Sequence, residues 1–371
     1  MNNIQICSNC VMDTTDPDIK FNEDGICNYC LEIQAEYGRL KKITSEDEKK
    51  YLDSLATKIK KETANDEYNC LIGISGGVDS SYVAYLVSKM DLNPLVVHFD
   101  NGWNSELSVQ NINNIVNKLN FDLYTYVINW EEFKDLQRAF LKASVIDIEM
   151  LTDHAITAAM FKIAKQHKIK YVFSGVNKAT EYGMPASWVW AKSDLINIRA
   201  IHNKFGERKL KTFPVYGFTK FLLHRFKSPF KVIMPLNNIR YCKNDAMRIL
   251  TKELNWQYYG GKHYESVFTK FYQAHILPTK FGVDKRKAHL SALIRNGEIS
   301  RDEALTELAQ PLYDPKELNN DFDYVVKKLN FTESEFKNIL RQKPIPHDCY
   351  RSDKFFRELV IKTYHILCKR K

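Results

Sequence analysis

The chain has 371 residues, 44% of them apolar, which exceeds one typical domain and suffices for a large buried core. No apolar run is long enough to span a bilayer and no N-terminal stretch resembles a secretion signal, so the expectation is a cytoplasmic protein with no membrane partner. The net charge of +9 favours an anionic ligand such as a nucleotide, a nucleotide-sugar or nucleic acid, and by itself does not choose among them.

The first element is a cysteine module. Cys7-x2-Cys10 and Cys27-x2-Cys30 stand sixteen residues apart, the spacing of a four-cysteine zinc ribbon, and residues 1–35 are expected to fold around one structural Zn²⁺ held by these four thiolates. The same set could hold an iron–sulfur cluster, while disulfides are disfavoured in a reducing compartment. Four protein ligands leave no open coordination position, so stability or docking is expected of this module and chemistry is not. Residues 36–69 are charged and read as one or two surface helices linking ribbon to core. Cys70, Cys242, Cys349 and Cys368 are scattered and need no function.

From residue 70 to about 240 apolar runs alternate with helical patterns. Strands are expected at Cys70–Ile74, Pro94–Phe99, Leu123–Ile128, Tyr171–Phe173 and Val232–Leu236. Helices are expected at Ser80–Met90, Ser105–Leu119, Trp130–Val145 and Asp153–His167, the last capped by Thr152 or Asp153. Such alternation predicts an α/β fold with a parallel sheet, whose ligands sit beyond the carboxyl ends of the strands. The first strand runs into Ser75-Gly76-Gly77-Val78-Asp79-Ser80-Ser81 and then a helix, so glycine-permitted close approach, orphan N–H groups and hydroxyls converge on an anion. Asp79 would repel phosphate unless a divalent cation lay between them, which adds Mg²⁺ to the expectation. The spacing is not that of a Walker loop.

This loop resembles that of the PP-loop ATP pyrophosphatases. The resemblance implies that ATP's pyrophosphate lies on Ser75, Gly76, Gly77, Asp79, Ser80 and Ser81, and that an acceptor is adenylated. It further implies adenosine contacts from the end of the second strand, at His98, Phe99 and Asp100. Ser174-Gly175 after the fourth strand looks like the asparagine-synthetase branch, placing Ser174 and Gly175 at the α-phosphate, Glu181 at the reacting centre, and Asn177 and Lys178 beside the acceptor. His154 is a further candidate contact.

Residues 241–371 are expected to be mainly helical and to complete the active site. The run from Trp256 through Gly260-Gly261-Lys262-His263-Tyr264-Glu265-Ser266 to Asp284-Lys285-Arg286-Lys287-Ala288-His289, taken with the ribbon and the loop, is similar to the N-acetyl sugar amidotransferases of bacterial surface-polysaccharide and flagellin-sugar pathways. That resemblance implies conversion of a sugar's N-acetyl group to an acetamidino group: ATP adenylates the amide oxygen, ammonia adds, and AMP and pyrophosphate leave. Lys270 and Arg286 are expected to join Asp79 and Glu181 as catalytic residues, with Lys262, His263, Glu265, Lys285 and Lys287 on the sugar or nucleotide-sugar. No segment fits a glutaminase, so ammonia is expected from a separate glutaminase working with a channel-bearing barrel similar to those of histidine biosynthesis, and the rigid ribbon is a candidate docking face. The alternatives are a tRNA-thiolating PP-loop enzyme and a non-catalytic zinc-ribbon protein that binds nucleic acid. The basic, aromatic segment at 200–230 matches nothing.

Overall fold

A computed structural model describes residues 4–226, 230–261 and 264–360. Its centre is a parallel sheet of β1 (Cys70–Ile74), β2 (Pro94–Asp100), β3 (Asp122–Val127), β4 (Tyr171–Phe173) and β5 (Lys231–Ile233), in the order β3-β2-β1-β4-β5. β1 alternates its side chains between two apolar layers. Cys70, Ile72 and Ile74 pack with Val83 and Val87 on one face, and Leu71 packs with Leu95, Val97, Val172, Ile163 and Ala164 on the other. Both faces of the strand are therefore covered, which is why it reads as an unbroken apolar run. The chain builds outward from β1 to β3 and then crosses to the other side, so the loops leaving β1 and β4 diverge and open a crevice at their carboxyl ends.

The helices before β5 are α1 (Asn28–Lys41), α2 (Ser45–Glu62), α3 (Val78–Lys89), α4 (Glu106–Leu119), α5 (Trp130–Ala143), α6 (Met150–Gln166), the single turn α7 (Lys178–Glu181), α8 (Leu195–Phe205) and α9 (Phe218–Phe226). Side-chain caps fix several starts: Thr44 and Asp47 form a capping box on α2, and Ser105 and Asn129 accept N–H groups at α4 and α5. α6 corrects an expectation, since it begins at Met150 and Thr152 and Asp153 lie within its first turn; buried Met150 and Leu151 draw the helix back toward Glu149. The fifth strand is also shorter than expected, because Pro235 cannot donate to a ladder and opens a 3₁₀ turn, Pro235–Asn237.

Part of the unmatched basic segment has a packing role. Two carboxylates of α5 organise the backbone after α8: Glu132 accepts N–H bonds from Lys211, Thr212 and Phe213, and Asp135 accepts them from Glu207 and Arg208.

Beyond β5 come α10 (Lys243–Leu254), α11 (Val267–Phe271), a wide-turned helix around Pro278 (Tyr272–Phe281), α12 (Arg286–Asn296), α13 (Arg301–Leu308), α14 (Pro315–Lys328) and α15 (Glu333–Arg341). The cysteine module sits on this helical region. Arg301 Nε donates to the carbonyls of Cys7 and Cys10 at 3.3 and 3.1 Å, Val11 N donates to Ser291 Oγ, and the cysteines share one apolar cluster with Leu277 and Ala288. α1 starts inside the module and carries Cys30 in its first turn. Among the described residues, no helix is long and apolar enough to cross a membrane.

Candidate active site at the carboxyl end of the sheet

A small cavity in the crevice between β1 and β4 shares wall residues with two larger ones, Lys243 with the first and Ser75, Ser80, Gly175 and Glu265 with the second. The smallest, about 130 Å³, is at the glycine loop and is lined by Ser75, Gly77, Val78, Asp79, Ser80, Gly175, Glu181, Lys243, Tyr259 and Glu265. Gly76 makes the loop possible: its φ is +80°, and a Cβ there would stand 2.6 Å from Ser108 O. Gly175 matters for proximity, since a Cβ on it would fall 3.0 Å from the backbone N of Ser80. The β4 loop thus touches the N-terminus of α3, where N–H groups face the cavity.

Four residues from distant segments hold the loop. Trp256 Nε1 donates to Gly76 O at 2.8 Å, Val78 N donates to Tyr259 Oη at 3.3 Å, and Asp79 accepts from Tyr241 Oη at 2.5 Å and Thr180 Oγ1 at 3.5 Å. None of these roles was read from the sequence. Trp256 and Tyr259 stood in a run singled out for its resemblance, but no local pattern says that an indole will reach a glycine carbonyl 180 residues away.

A groove of about 600 Å³ extends from the loop across the strand ends, between Val97, His98, Phe99, Ser174 and Gly175 on one side and Glu149, Thr152, Asp153, Ile156 and Met160 on the other. His98 is buried, with Nδ1 at 3.2 Å from Ile74 O and Nε2 at 3.1 Å from the Asn104 amide. Burial lowers its pKa, so the ring is neutral, donates from Nδ1 and accepts at Nε2. Phe99 stacks on Tyr126 with centroids 5.5 Å apart. Asp100 closes a turn through Gly102 N at 2.8 Å and the Asn104 amide, so it positions the strand end and does not line the groove.

On the other side of the loop, joined to it through Lys243, a cavity of about 500 Å³ is walled by the C-terminal helices, among them Tyr258, Tyr264, Gln273, Lys285, His289, Glu298 and Gln310. Lys285 is 8% exposed, and burial lowers its pKa against the pull of Asp147. Lys243 was not anticipated, and among the described residues it is the one cationic residue lining the loop cavity, together with Asp79, Glu181 and Glu265.

Several expected site residues are engaged elsewhere. Ser81 is fully buried in α3 and does not line the loop cavity. Asn177 caps α7, accepting from Thr180 N at 2.9 Å and donating to Gly175 O at 3.1 Å, so it shapes the site as a turn former. Lys178 points to α1, pairing with Glu36 at 2.9 Å. Lys270 pairs with Glu317 and Asp321 of α14 and lies over the Tyr313 ring. Arg286 is bound by Asp284 and by the carbonyls of Glu307, Leu308 and Gln310, closing the carboxyl end of α13, and it borders the large cavity. Lys287 reaches Asp13 of the cysteine module at 2.5 Å. His154 is held between Lys192 O and Tyr216 N. Lys262 and His263 lie outside the described residues.

The four sulfurs of Cys7, Cys10, Cys27 and Cys30 are buried and lie within 4.8 Å of one another. Cys10 and Cys27 Sγ are 3.7 Å apart, close to the about 3.8 Å that Zn–S bonds of about 2.3 Å give at tetrahedral angles. N–H groups of Asn9, Met12 and Cys27 point at these sulfurs, as thiolates require. The donor set therefore fits zinc. Among the described residues, Cys70, Cys242 and Cys349 are each single.

Residues 48–184 match the NAD synthase family, and residues 265–364 match the WbpG-like C-terminal domain of LPS biosynthesis proteins. The chain thus joins a PP-loop domain of NAD synthase type to a WbpG-like C-terminal domain. No curated protein matches it in sequence. Similar solved structures include an NMN synthetase from Francisella tularensis, 15% identical over 81% of this chain and 98% of that one with a TM-score of 0.34. Another is an NH3-dependent NAD synthetase from Campylobacter jejuni in complex with nitrate, 17% identical over 76% and 95% with a TM-score of 0.33.

Proposed function

We propose that this PP-loop protein is an ATP-dependent amidotransferase that adenylates the N-acetyl carbonyl of a sugar or nucleotide-sugar and substitutes ammonia to give an acetamidino sugar, with release of AMP and pyrophosphate. The observation that carries the reading is the wall-sharing of the three cavities. A phosphate-sized pocket at the loop stands between a groove suited to a nucleoside and a second chamber walled in large part by the segment that matches a lipopolysaccharide-biosynthesis domain.

In this reading the groove takes adenosine, with backbone at Val97–Phe99 along the base. The loop's N–H groups and the hydroxyls of Ser75 and Ser80 take the pyrophosphate. The amide oxygen of the acceptor, entering from the large chamber, attacks the α-phosphorus and expels pyrophosphate. Lys243 stands at the junction of the two cavities and offsets the negative charge that builds there. Asp79, Glu181 and Glu265 are hard oxygen donors converging on a phosphate pocket, the set that suits Mg²⁺, which when bound would neutralise the polyphosphate. Ammonia then forms a C–N bond at the activated carbon, and AMP leaves with the former amide oxygen. Aromatic rings and carboxamides of Tyr258, Tyr264, Gln273 and Gln310 give the chamber the surface of a sugar site. We further propose Zn²⁺ in the cysteine module, a separate glutaminase with a channel-bearing subunit as the ammonia source, and a cytoplasmic location.

The test is incubation with ATP, Mg²⁺, ammonium and a panel of N-acetyl sugars and their nucleotide-linked forms, read by mass spectrometry and by nucleotide analysis. A product lighter by the difference between O and NH, with AMP and pyrophosphate, is expected. Formation of ADP and phosphate, or sulfur transfer to tRNA in place of amidination, would overturn the reading.

A further inference from the structure

A second cluster of charge lies along the far wall of the nucleotide groove and takes no part in holding the loop. Asp147 is fully buried, accepting from Trp190 N at 2.6 Å and Lys192 Nζ at 2.7 Å, and its Oδ1 has no hydrogen-bond partner among the described residues. Lys192 also reaches Asp153 at 3.1 Å. Between them, at the start of α6, Glu149 borders the groove and accepts from Thr269 Oγ1 at 2.8 Å. Buried Lys285 approaches from the large chamber, close enough to feel Asp147, Glu149 and Asp153. Three carboxylates against two ammonium groups leave one negative charge in excess when all are ionised.

On the amidotransferase reading above, ammonium has to be handled where this groove meets the loop cavity, at Ser75, Ser80, Gly175 and Glu265. Ammonia in neutral solution is nearly all ammonium, which has no lone pair to attack with. We propose that Glu149 is the base that takes the proton of ammonium in the groove, releasing ammonia to attack the adenylated carbonyl. The balance is simple: one N–H bond of ammonium breaks, its proton goes to a Glu149 carboxylate oxygen, the freed lone pair forms the C–N bond, and AMP departs with the electrons of the C–O bond. Withdrawal from water, reinforced by Asp153 and opposed by the Thr269 hydrogen bond and by Lys285 and Lys192, pushes the Glu149 carboxyl up to about 7, which suits a base working near neutrality. The other titratable groups on the groove are His98, Asp153, Lys192 and Glu265. In the adenylation half-reaction Glu149 borders the adenosine groove and exchanges no proton.

The experiment compares wild type with Glu149→Gln in two assays: exchange of labelled pyrophosphate into ATP with acceptor sugar and no ammonium, and amidination with ammonium chloride between pH 6.5 and 9. Because Glu149 lines the groove that takes adenosine, both assays are run at saturating ATP, where amidination by Glu149→Gln at pH 7.5 is expected to fall at least about a hundredfold further than exchange does, with the residual rate rising about tenfold per pH unit as free ammonia does. Thr269→Val is the second variant. It removes the bond that favours the ionised carboxyl, so the acidic limb of the amidination profile should move to higher pH. Unchanged amidination in Glu149→Gln, equal loss of exchange and amidination, or an unmoved limb in Thr269→Val would each overturn the assignment. Absence of sugar-dependent exchange in wild type would instead remove the parent reading.

Discussion

Tyr241 donates its phenolic hydrogen to Asp79 at 2.5 Å, so the carboxylate of the glycine loop is aimed by a residue 162 positions away that lies just before α10. Lys243 is two residues further on. One short segment therefore orients the loop's acid and supplies the cation lining the same cavity.

Removing that phenol should cost activity without costing the fold. A hydrogen bond to a charged group contributes about 1.5–3 kcal/mol, so Tyr241→Phe is expected to lower turnover by about 10- to 100-fold and to raise the Mg²⁺ concentration needed for half-maximal rate, with an unchanged circular dichroism spectrum. Asp79→Asn should lose more than about a hundredfold. A Tyr241→Phe protein with normal Mg²⁺ dependence would dissociate the phenol from Asp79's role.

Lys243 and Lys270 should separate chemistry from stability. Lys270→Ala breaks contacts to α14, so a fall of several degrees in Tm is expected, with turnover of the folded protein within about threefold of wild type. Lys243→Ala should do the reverse, with turnover falling by at least about a hundredfold and little change in Tm. Thermal unfolding and steady-state pyrophosphate release on the same preparations decide between them.

The cysteine module should contain one Zn²⁺ per chain on Cys7, Cys10, Cys27 and Cys30. Cys27→Ser or stripping with a strong chelator is expected to lower Tm by more than about 10 °C, because binding energy at such sites is folding energy. Elemental analysis finding iron with visible absorption, or no metal, would contradict it.

Stability should fall below pH 6.5 partly through His347. It is 2% exposed, accepting from Asp147 N at Nε2 and facing Asn197 Oδ1 at Nδ1, and burial pushes its pKa down to about 4. The unfolded imidazole binds a proton near pH 6.5 while the folded one resists until about 4. The contribution is thus fully present above 6.5 and lost as pH falls between these values, a change on the order of 3 kcal/mol. Urea unfolding from pH 7.5 to 4.5 should show a flatter profile for His347→Gln than for wild type.

The parallel sheet and the loop were legible because their signals are local: apolar runs at strand length, and glycine where φ must be positive. The paired C-x2-C motifs were legible for the same reason. What the sequence does not carry is which cations already have partners in the fold. Lys270, Arg286 and Lys287 look alike in sequence to a phosphate-binding lysine, and only the fold reveals that α14, the end of α13 and Asp13 of the module already hold them. Asn177 is a similar case, as a carboxamide beside a reaction centre and a helix cap have the same letter, and the fold shows the cap. Glu149 escaped notice because the start of α6 was placed after it.

The seating of the cysteine module on α12 and α13 couples the four-cysteine cluster to the large cavity. Arg301, Ser291 and Lys287 tie the cysteine knuckles to the two helices whose other residues, Arg286, His289, Leu290 and Glu307, wall that chamber. Oxidation of the four thiols would disturb those ties before it touched the glycine loop. Loss of whatever the four thiolates hold should therefore be felt at the large cavity before it is felt at the glycine loop.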